Sequence, residues 1–261
     1  MINLDNKVAL VTGSSDGIGA AATSLFSSLG AKVTKVRRNQ SKLDKVAAEC
    51  QSKSPHHYKP LVIKADFTRD EDVVRAFNET ISAYNRLDIL VNNAGIAANK
   101  EFGDPGYLED YDQIMHVNVR AVVRLTELAT SSLAESKGAI INVSSAGSLI
   151  ANPNAFWAYG MSKAALDMFT KSMAGKLAPN IRVNSVNPGI VRTSFLRATP
   201  DPTAIQDYLA KMQPLKRVAD PEDIAQLISF LASDASRNMT GSIVVSDSGY
   251  LVVDPYNIKT E

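Results

Sequence analysis

Short runs rich in Val, Ile and Leu alternate with longer amphipathic segments along almost the whole chain, and this alternation limits the fold more than any other feature. Strands are expected at 7–12, 32–36, 61–65, 88–92, 139–143, 181–186 and 243–246. Several are nearly continuous apolar runs, the pattern of strands covered on both faces. Helices are expected at 18–29, 41–50, 70–84, 111–134, 159–177 and 221–231. In the last of these, Asp220 is placed to cap. Pro221 takes the first helical position, with Glu222 and Asp223 at the positive helix end.

Parallel neighbours need a crossover, so a strand–helix–strand–helix order predicts a parallel sheet with helices on both faces. Right-handed crossovers then give an α/β, doubly wound, Rossmann-type sheet of seven strands. The 261 residues contain no linker, low-complexity stretch or short repeat. One domain over 1–261 is expected, with the irregular, Pro-rich segment 193–215 as a lid over a ligand crevice.

Composition excludes some partners. A net charge of +1, from 28 Lys and Arg against 27 Asp and Glu, gives no electrostatic case for nucleic acid or an anionic membrane. No apolar stretch approaches the roughly 20 residues that cross a bilayer. The first residues alternate polar and apolar, which does not read as a signal peptide. Cys50 is the only cysteine, so no intrachain disulfide forms, in keeping with a reducing compartment. The cytoplasm is the expected location.

Thr12-Gly13-Ser14-Ser15-Asp16-Gly17-Ile18-Gly19 lies where the first strand should turn into the first helix. Gly13 suits the sharp turn, Gly17 a diphosphate close to the backbone, and Gly19 tight helix–strand packing. The helix N-terminus that follows attracts phosphates. A ligand-free turn is the plainer alternative. No Gly-Lys-Ser/Thr follows, which disfavours a P-loop nucleotidase.

Tyr159-Gly160-Met161-Ser162-Lys163 opens a helix, and four residues put Tyr159 and Lys163 on one face. A phenol ionises near pH 10, too high to serve as a base at neutrality. A nearby ammonium and a cationic nicotinamide would bring it towards the working range. Alone, such a pair is more simply a surface Tyr and Lys. Ser144 and Ser145 end a buried-looking strand, where open α/β sheets bind ligands, and a serine there could bond a substrate oxygen. Alone, they are a turn.

Together these segments resemble the short-chain dehydrogenase/reductase family, over 7–249. The loop from Thr12 to Gly19 is similar to the family's T-G-x-x-x-G-x-G. Asn92-Asn93-Ala94-Gly95 is similar to N-N-A-G, Tyr159 to Lys163 to Y-x-x-x-K, and Asn187-Pro188-Gly189 with Val191 and Thr193 to the late P-G segment. The resemblance implies that Tyr159 is the acid/base and that Lys163 lowers its pKa and binds the nicotinamide ribose. It implies that a serine of the 144–145 pair orients the substrate oxygen, and that Asn118 holds a water linking Lys163 to solvent. The family's spacing falls on Ala146; a loop at 152–157 one residue longer keeps Ser145 in the role, with Ser144 the alternative. Asn118, an amide inside an apolar helical stretch, needs a partner in any case.

The resemblance also places the cofactor. The backbone from Gly13 through Ser15, Asp16, Gly17, Ile18 and Gly19 would take the diphosphate. Asp66 would accept from the adenine amino group, or instead cap the next helix, as Thr68 or Asp70 could. Asn93, Ala94 and Gly95 would lie under the adenosine, and Pro188, Gly189, Ile190 and Thr193 would face the nicotinamide. After the second strand stand Arg37 and Arg38 and no acidic residue. Guanidinium suits a 2′-phosphate, so NADP(H) is expected over NAD(H), with Arg38 as the main contact. Asp16 occupies the place where many NADP-preferring relatives carry a base.

His56, His57 and His116 show no metal spacing, and no metal is expected. The pocket is expected from 97–106, 146–157 and 193–215, with Phe102, Trp157, Phe195 and Leu196 suggesting an apolar carbonyl or alcohol substrate. The resemblance implies a homotetramer or homodimer paired through 111–134, 159–177 and 243–246, and surplus apolar positions in 159–177 (Met161, Leu166, Met168, Phe169 and Met173) agree. The leading interpretation is an NADP(H)-dependent ketone or aldehyde reductase, or alcohol dehydrogenase. A noncatalytic NADP-binding sensor or scaffold, and a lyase or isomerase using the cofactor transiently, are the alternatives.

Overall fold

A computed structural model describes residues 2–37, 41–97, 100–151, 157–193 and 202–252, without the side chains of 37, 41–46 and 202–203. Its strands are β1 (Val8–Thr12), β2 (Lys32–Arg37), β3 (Leu61–Lys64), β4 (Ile89–Asn92), β5 (Ala139–Val143), β6 (Arg182–Pro188) and β7 (Ile243–Ser246). They form one sheet in the order β3-β2-β1-β4-β5-β6-β7. Every pairing is parallel, as between Leu10 and Leu90 or Ile141 and Asn184.

Helices α1 (Gly17–Ser28), α2 (Ser41–Lys53), α3 (Asp70–Tyr84), α4 (Tyr107–Met115), α5 (Ala121–Ser136), α6 (Trp157–Leu177), α7 (Pro202–Met212) and α8 (Pro221–Ala232) connect and follow the strands. Alternation along β1 shows how both faces are used. Ala9 and Val11 pack with Phe26 of α1 and Ile224 and Ile228 of α8, whereas Val8 and Leu10 pack with Val73 of α3 and Leu125 and Leu133 of α5. Burial on both sides is why these strands read as continuous apolar runs.

Three sequence expectations need correction. The helix expected over 111–134 begins earlier, as α4, and is interrupted by a π-helical turn at His116–Arg120 before α5. Such a turn inserts a residue without breaking the helical path, so apolar spacing alone does not reveal it. The segment 193–215 is not wholly irregular, because α7 lies within it. The sixth strand runs to Pro188, two residues past the expected end. Asp223 accepts from the Asp220 backbone N–H at 2.8 Å, completing the expected start of α8.

At the amino end of the sheet, buried Asp88 ties the central strands together. Its carboxylate accepts from the Val8 N–H at 2.9 Å and from both ends of the Arg86 guanidinium at 2.8 and 2.7 Å. Burial pushes its pKa up, but the Arg86, Val8 and Lys7 contacts outweigh that and hold it below the usual range. The opposite, carboxyl end is left for a ligand. Among the described residues, no helix is long and apolar enough to cross a membrane.

Candidate active site

Strand order reverses between β1 and β4, and there a crevice of about 1090 Å³ opens at the carboxyl ends of the strands. Gly13, Ser15, Asp16, Gly17, Ile18, Asp66, Asn93, Ala94, Gly95, Ser145, Tyr159, Lys163, Pro188, Gly189, Ile190 and Thr193 all line it, and so does Ser144. Gly19 sits one layer back, where an added Cβ would press on the Gly13 carbonyl and the Asn93 amide. Arg38 lies outside the described residues, as does the side chain of Arg37.

The floor of the crevice is built by strand-end polar groups. Gly13 turns the chain with φ +64°, a conformation that side chains disfavour. The Thr12 hydroxyl accepts from the N–H groups of Asn93 and Ala94 at 3.0 and 2.9 Å, while Asn93 Nδ2 donates back to the Thr12 and Gly13 carbonyls. These bonds lock the ends of β1 and β4 together under the crevice. Asp16 caps α1, its carboxylate accepting from the Gly17 N–H at 2.8 Å. Thr193 folds over this loop: a Cβ on Gly17 would lie 2.7 Å from Thr193 Cγ2.

Across the crevice stand Ser145, Tyr159 and Lys163. The Ser145 hydroxyl hydrogen-bonds Tyr159 and accepts from the Gly147 N–H at 3.0 Å. Ser144 is 3 % exposed, and its hydroxyl donates to the Lys163 carbonyl at 3.1 Å. Lys163 Nζ lies 5.6 Å from the centroid of the Tyr159 ring and donates to the Val143 carbonyl at 2.9 Å. Burial pushes the Tyr159 phenol up to about 12, with the Ser145 hydrogen bond pulling the other way. Burial likewise lowers Lys163 to about 8, opposed by the charge of Asp167. Burial and the Ser145 hydrogen bond, without a nicotinamide, leave the phenol protonated.

Asn118 stands in the π-helical turn, 1 % exposed, behind the crevice wall. Its Nδ2 donates to the Ile96 carbonyl and to Ser162 Oγ, each at 2.9 Å, and its Oδ1 accepts from the Ile96 N–H at 2.9 Å. The side chain thus clamps the segment after β4 onto α6. The Asp66 carboxylate accepts from the N–H and hydroxyl of Thr68 at 3.1 and 3.0 Å. It does not cap α3, whose N-cap is Arg69 without a side-chain hydrogen bond.

The outer part of the crevice is apolar: Leu149, Ile150, Ala151, Trp157, Met161, Leu209 and Tyr250 line it. Leu209 and Tyr250 come from α7 and the turn after β7. Within 97–106 no described residue lines the crevice. Instead Phe102 meets Trp157 edge-on with centroids 5.7 Å apart, and Tyr111 stacks on Trp157 at 5.8 Å. Phe195 and Leu196 lie outside the described residues. Ser148, which also lines the crevice, joins buried Asp167, Ser185 and Asn187 in a hydrogen-bonded network beside Ser145; of these the sequence singled out only Asn187, within the late P-G segment. Among the described residues no group of three or more His, Cys, Asp or Glu is arranged to hold a metal ion.

Comparison with known proteins places the chain among oxidoreductases. A family model described as enoyl-(acyl carrier protein) reductase matches residues 13–251. A 3-oxoacyl-(acyl-carrier-protein) reductase of Thermotoga maritima is 34% identical, over 96% of this chain and 100% of its own length. Carbonyl reductase (NADPH) 2 of Sus scrofa is 34% identical, over 96% of this chain and 98% of its own. A Caenorhabditis elegans short-chain dehydrogenase/reductase, solved with cofactor, superposes with a TM-score of 0.90 at 34% identity, covering 97% of each chain.

Proposed function

Given that the chain belongs to the short-chain dehydrogenase/reductase family, we propose that it transfers a hydride between NADP(H) and a carbonyl or secondary alcohol, and that it works best as a carbonyl reductase. The observation that carries this is that Ser145, Tyr159 and Lys163, close to one another, line the same crevice as the glycine loop.

The residues present fit a dinucleotide. The crevice is larger than most small-molecule pockets, and the first turn of α1 opens onto it for phosphates. Around Gly95 the backbone comes close to the site: a Cβ there would lie 3.3 Å from Asn118 Oδ1 and 3.4 Å from Lys163 Nζ. Gly13 to Gly19 would hold the diphosphate, Asp66 the adenine, and Pro188 to Thr193 the nicotinamide. When bound, the nicotinamide supplies or takes the hydride and, oxidised, brings a positive charge beside the phenol. NADP(H) is favoured over NAD(H) because Arg37 ends β2 and Arg38 follows it, with no acidic residue there; the similarity to the pig NADPH carbonyl reductase agrees.

In reduction, Tyr159 donates its phenolic proton to the carbonyl oxygen. Burial alone makes the phenol a weak acid, and the Lys163 ammonium with the positive charge of an oxidised nicotinamide would bring its pKa back towards the working range. Ser145 bonds the same oxygen and stabilises its developing negative charge. Lys163 presents its ammonium to the same region, and Asn118 positions the segment that carries Gly95. Thr193, over the glycine loop, and α7, whose Leu209 lines the crevice, would be the described parts of the expected lid. The apolar outer wall favours an uncharged, apolar ketone or aldehyde.

NADPH consumption with a panel of apolar ketones, keto acids and sugars tests this. Turnover of apolar ketones, lost in Tyr159→Phe while NADPH still binds, is the expected result. Binding of NADPH without turnover of any carbonyl would favour a sensor or scaffold instead.

A further inference from the structure

Behind Ser145 lies a buried carboxylate that the chemistry above does not use. Asp167 is one turn beyond Lys163 on α6 and only 6 % exposed. No ion pair engages it among the described residues. Its partners are neutral donors: Ser148 Oγ and Asn187 Nδ2 (2.8 Å) on one oxygen, and Ser185 Oγ (3.2 Å) on the other. A charge buried in this way is costly, so each of those donors is held firmly in place.

Two of them also grip the backbone of Ser145. Asn187 Nδ2 lies 3.1 Å from the Ser145 carbonyl oxygen, and Ser148 Oγ lies 2.7 Å from it. Asn187 Nδ2 further contacts Ser148 Oγ at 2.9 Å, which closes the circuit. The Ser148 hydroxyl has one proton for two acceptors, the Asp167 carboxylate and the Ser145 carbonyl, so changing the first changes its hold on the second. Ser145 in turn is the residue that hydrogen-bonds Tyr159.

We propose that Asp167 is a positioning residue for this site: through Ser148 and Asn187 it fixes the Ser145 carbonyl and thereby the direction in which the Ser145 hydroxyl meets Tyr159. The proposal rests on the reductase reading of the site. Asp167→Asn keeps the size of the side chain but turns one oxygen into a donor facing donors. Ser148→Ala removes one link of the same chain.

The test compares wild type, D167N, S148A and the double variant for kcat, for NADPH affinity by fluorescence, and by crystal structure. D167N should lose at least about 10-fold in kcat while NADPH affinity stays within about 2-fold, and S148A should lose less. The double variant should be no worse than D167N, because residues acting through one chain are not additive. Multiplying effects, or an unchanged kcat in D167N, would overturn the proposal. If D167N does not fold, S148A decides: a several-fold loss of kcat at unchanged thermal midpoint supports it, and full kcat refutes it. If wild type reduces no carbonyl, the functional reading fails by itself. The crystal structures then decide the positioning role, since a Ser145 hydroxyl still bonded to Tyr159 in D167N would refute it.

Discussion

Adjacent in sequence, Ser144 and Ser145 engage α6 differently: the hydroxyl of the first donates to the Lys163 carbonyl, and that of the second bonds the Tyr159 side chain. Their substitutions should therefore have different consequences. Ser145→Ala should lower kcat by about 100-fold, the cost of one donor to a developing oxyanion. Ser144→Ala should leave kcat within a few-fold and cost roughly 1 kcal/mol of stability from one buried hydrogen bond. Steady-state kinetics and thermal melts of both variants measure this. A larger kinetic defect in Ser144→Ala would exchange the two roles.

Cofactor choice is expected to depend on the arginines after β2. Wild type should show a kcat/KM for NADP(H) at least about 10-fold above that for NAD(H), the scale of a charge-assisted phosphate contact. Arg38→Ala should lose most of that advantage while leaving NAD(H) kinetics nearly unchanged. Equal kcat/KM for the two cofactors in wild type would show that Asp16, on the glycine loop, offsets the arginines.

The architecture was legible because each central strand is buried on both faces and each helix on one, so the apolar pattern reports burial directly. Motif spacing also found most of the crevice lining, since backbone turns at strand ends require particular residues there. Other parts depend on contacts that no local pattern carries. Asp167 reads in sequence as a polar position on a helix; only the approach of β6 and the turn after β5 buries it beside Ser148 and Asn187. The clamp made by Asn118 was half visible, as a buried amide needing a partner, but its partners Ile96 and Ser162 come from distant segments. Leu209 and Tyr250 reach the crevice through the tertiary packing of α7 and the turn after β7. Lys35 gave no warning either, because a lysine in a strand normally marks an edge or an exposed face.

Self-association is expected through α5 and α6. Outside the crevice lining, Val123 of α5 and Met168 of α6 are 41 % and 62 % exposed. Large apolar side chains left open along packed helices favour a second copy. Light scattering should give a mass of two or four chains, and Met168→Lys should lower it. A single-chain mass at all concentrations would remove this surface from consideration.

Lys35 is expected to destabilise the protein that contains it. It lies on the interior strand β2, 0 % exposed, with no hydrogen-bond partner for its amine among the described residues. Burial lowers its pKa to about 8 from 10.5, opposed by nearby Cys50 and Glu49 of α2. A base with a depressed folded pKa releases its proton more readily when folded, so the unfolded chain binds more protons between those two values. Stability from this group accordingly rises with pH across that window, and the penalty is complete below pH 8. Its size is roughly 3 kcal/mol at neutral pH. Lys35→Met, of similar length and without the amine, should raise the thermal midpoint by several degrees at pH 7. The gap from wild type should shrink by about 1 kcal/mol by pH 9, as wild type sheds the proton on its own. Lys163 titrates in the same direction but is present in both proteins and cancels from the difference. Melting curves of the two proteins at pH 7, 8 and 9 measure the effect; a midpoint that falls on substitution, or a gap that widens with pH, would mean that the amine is satisfied in the folded protein.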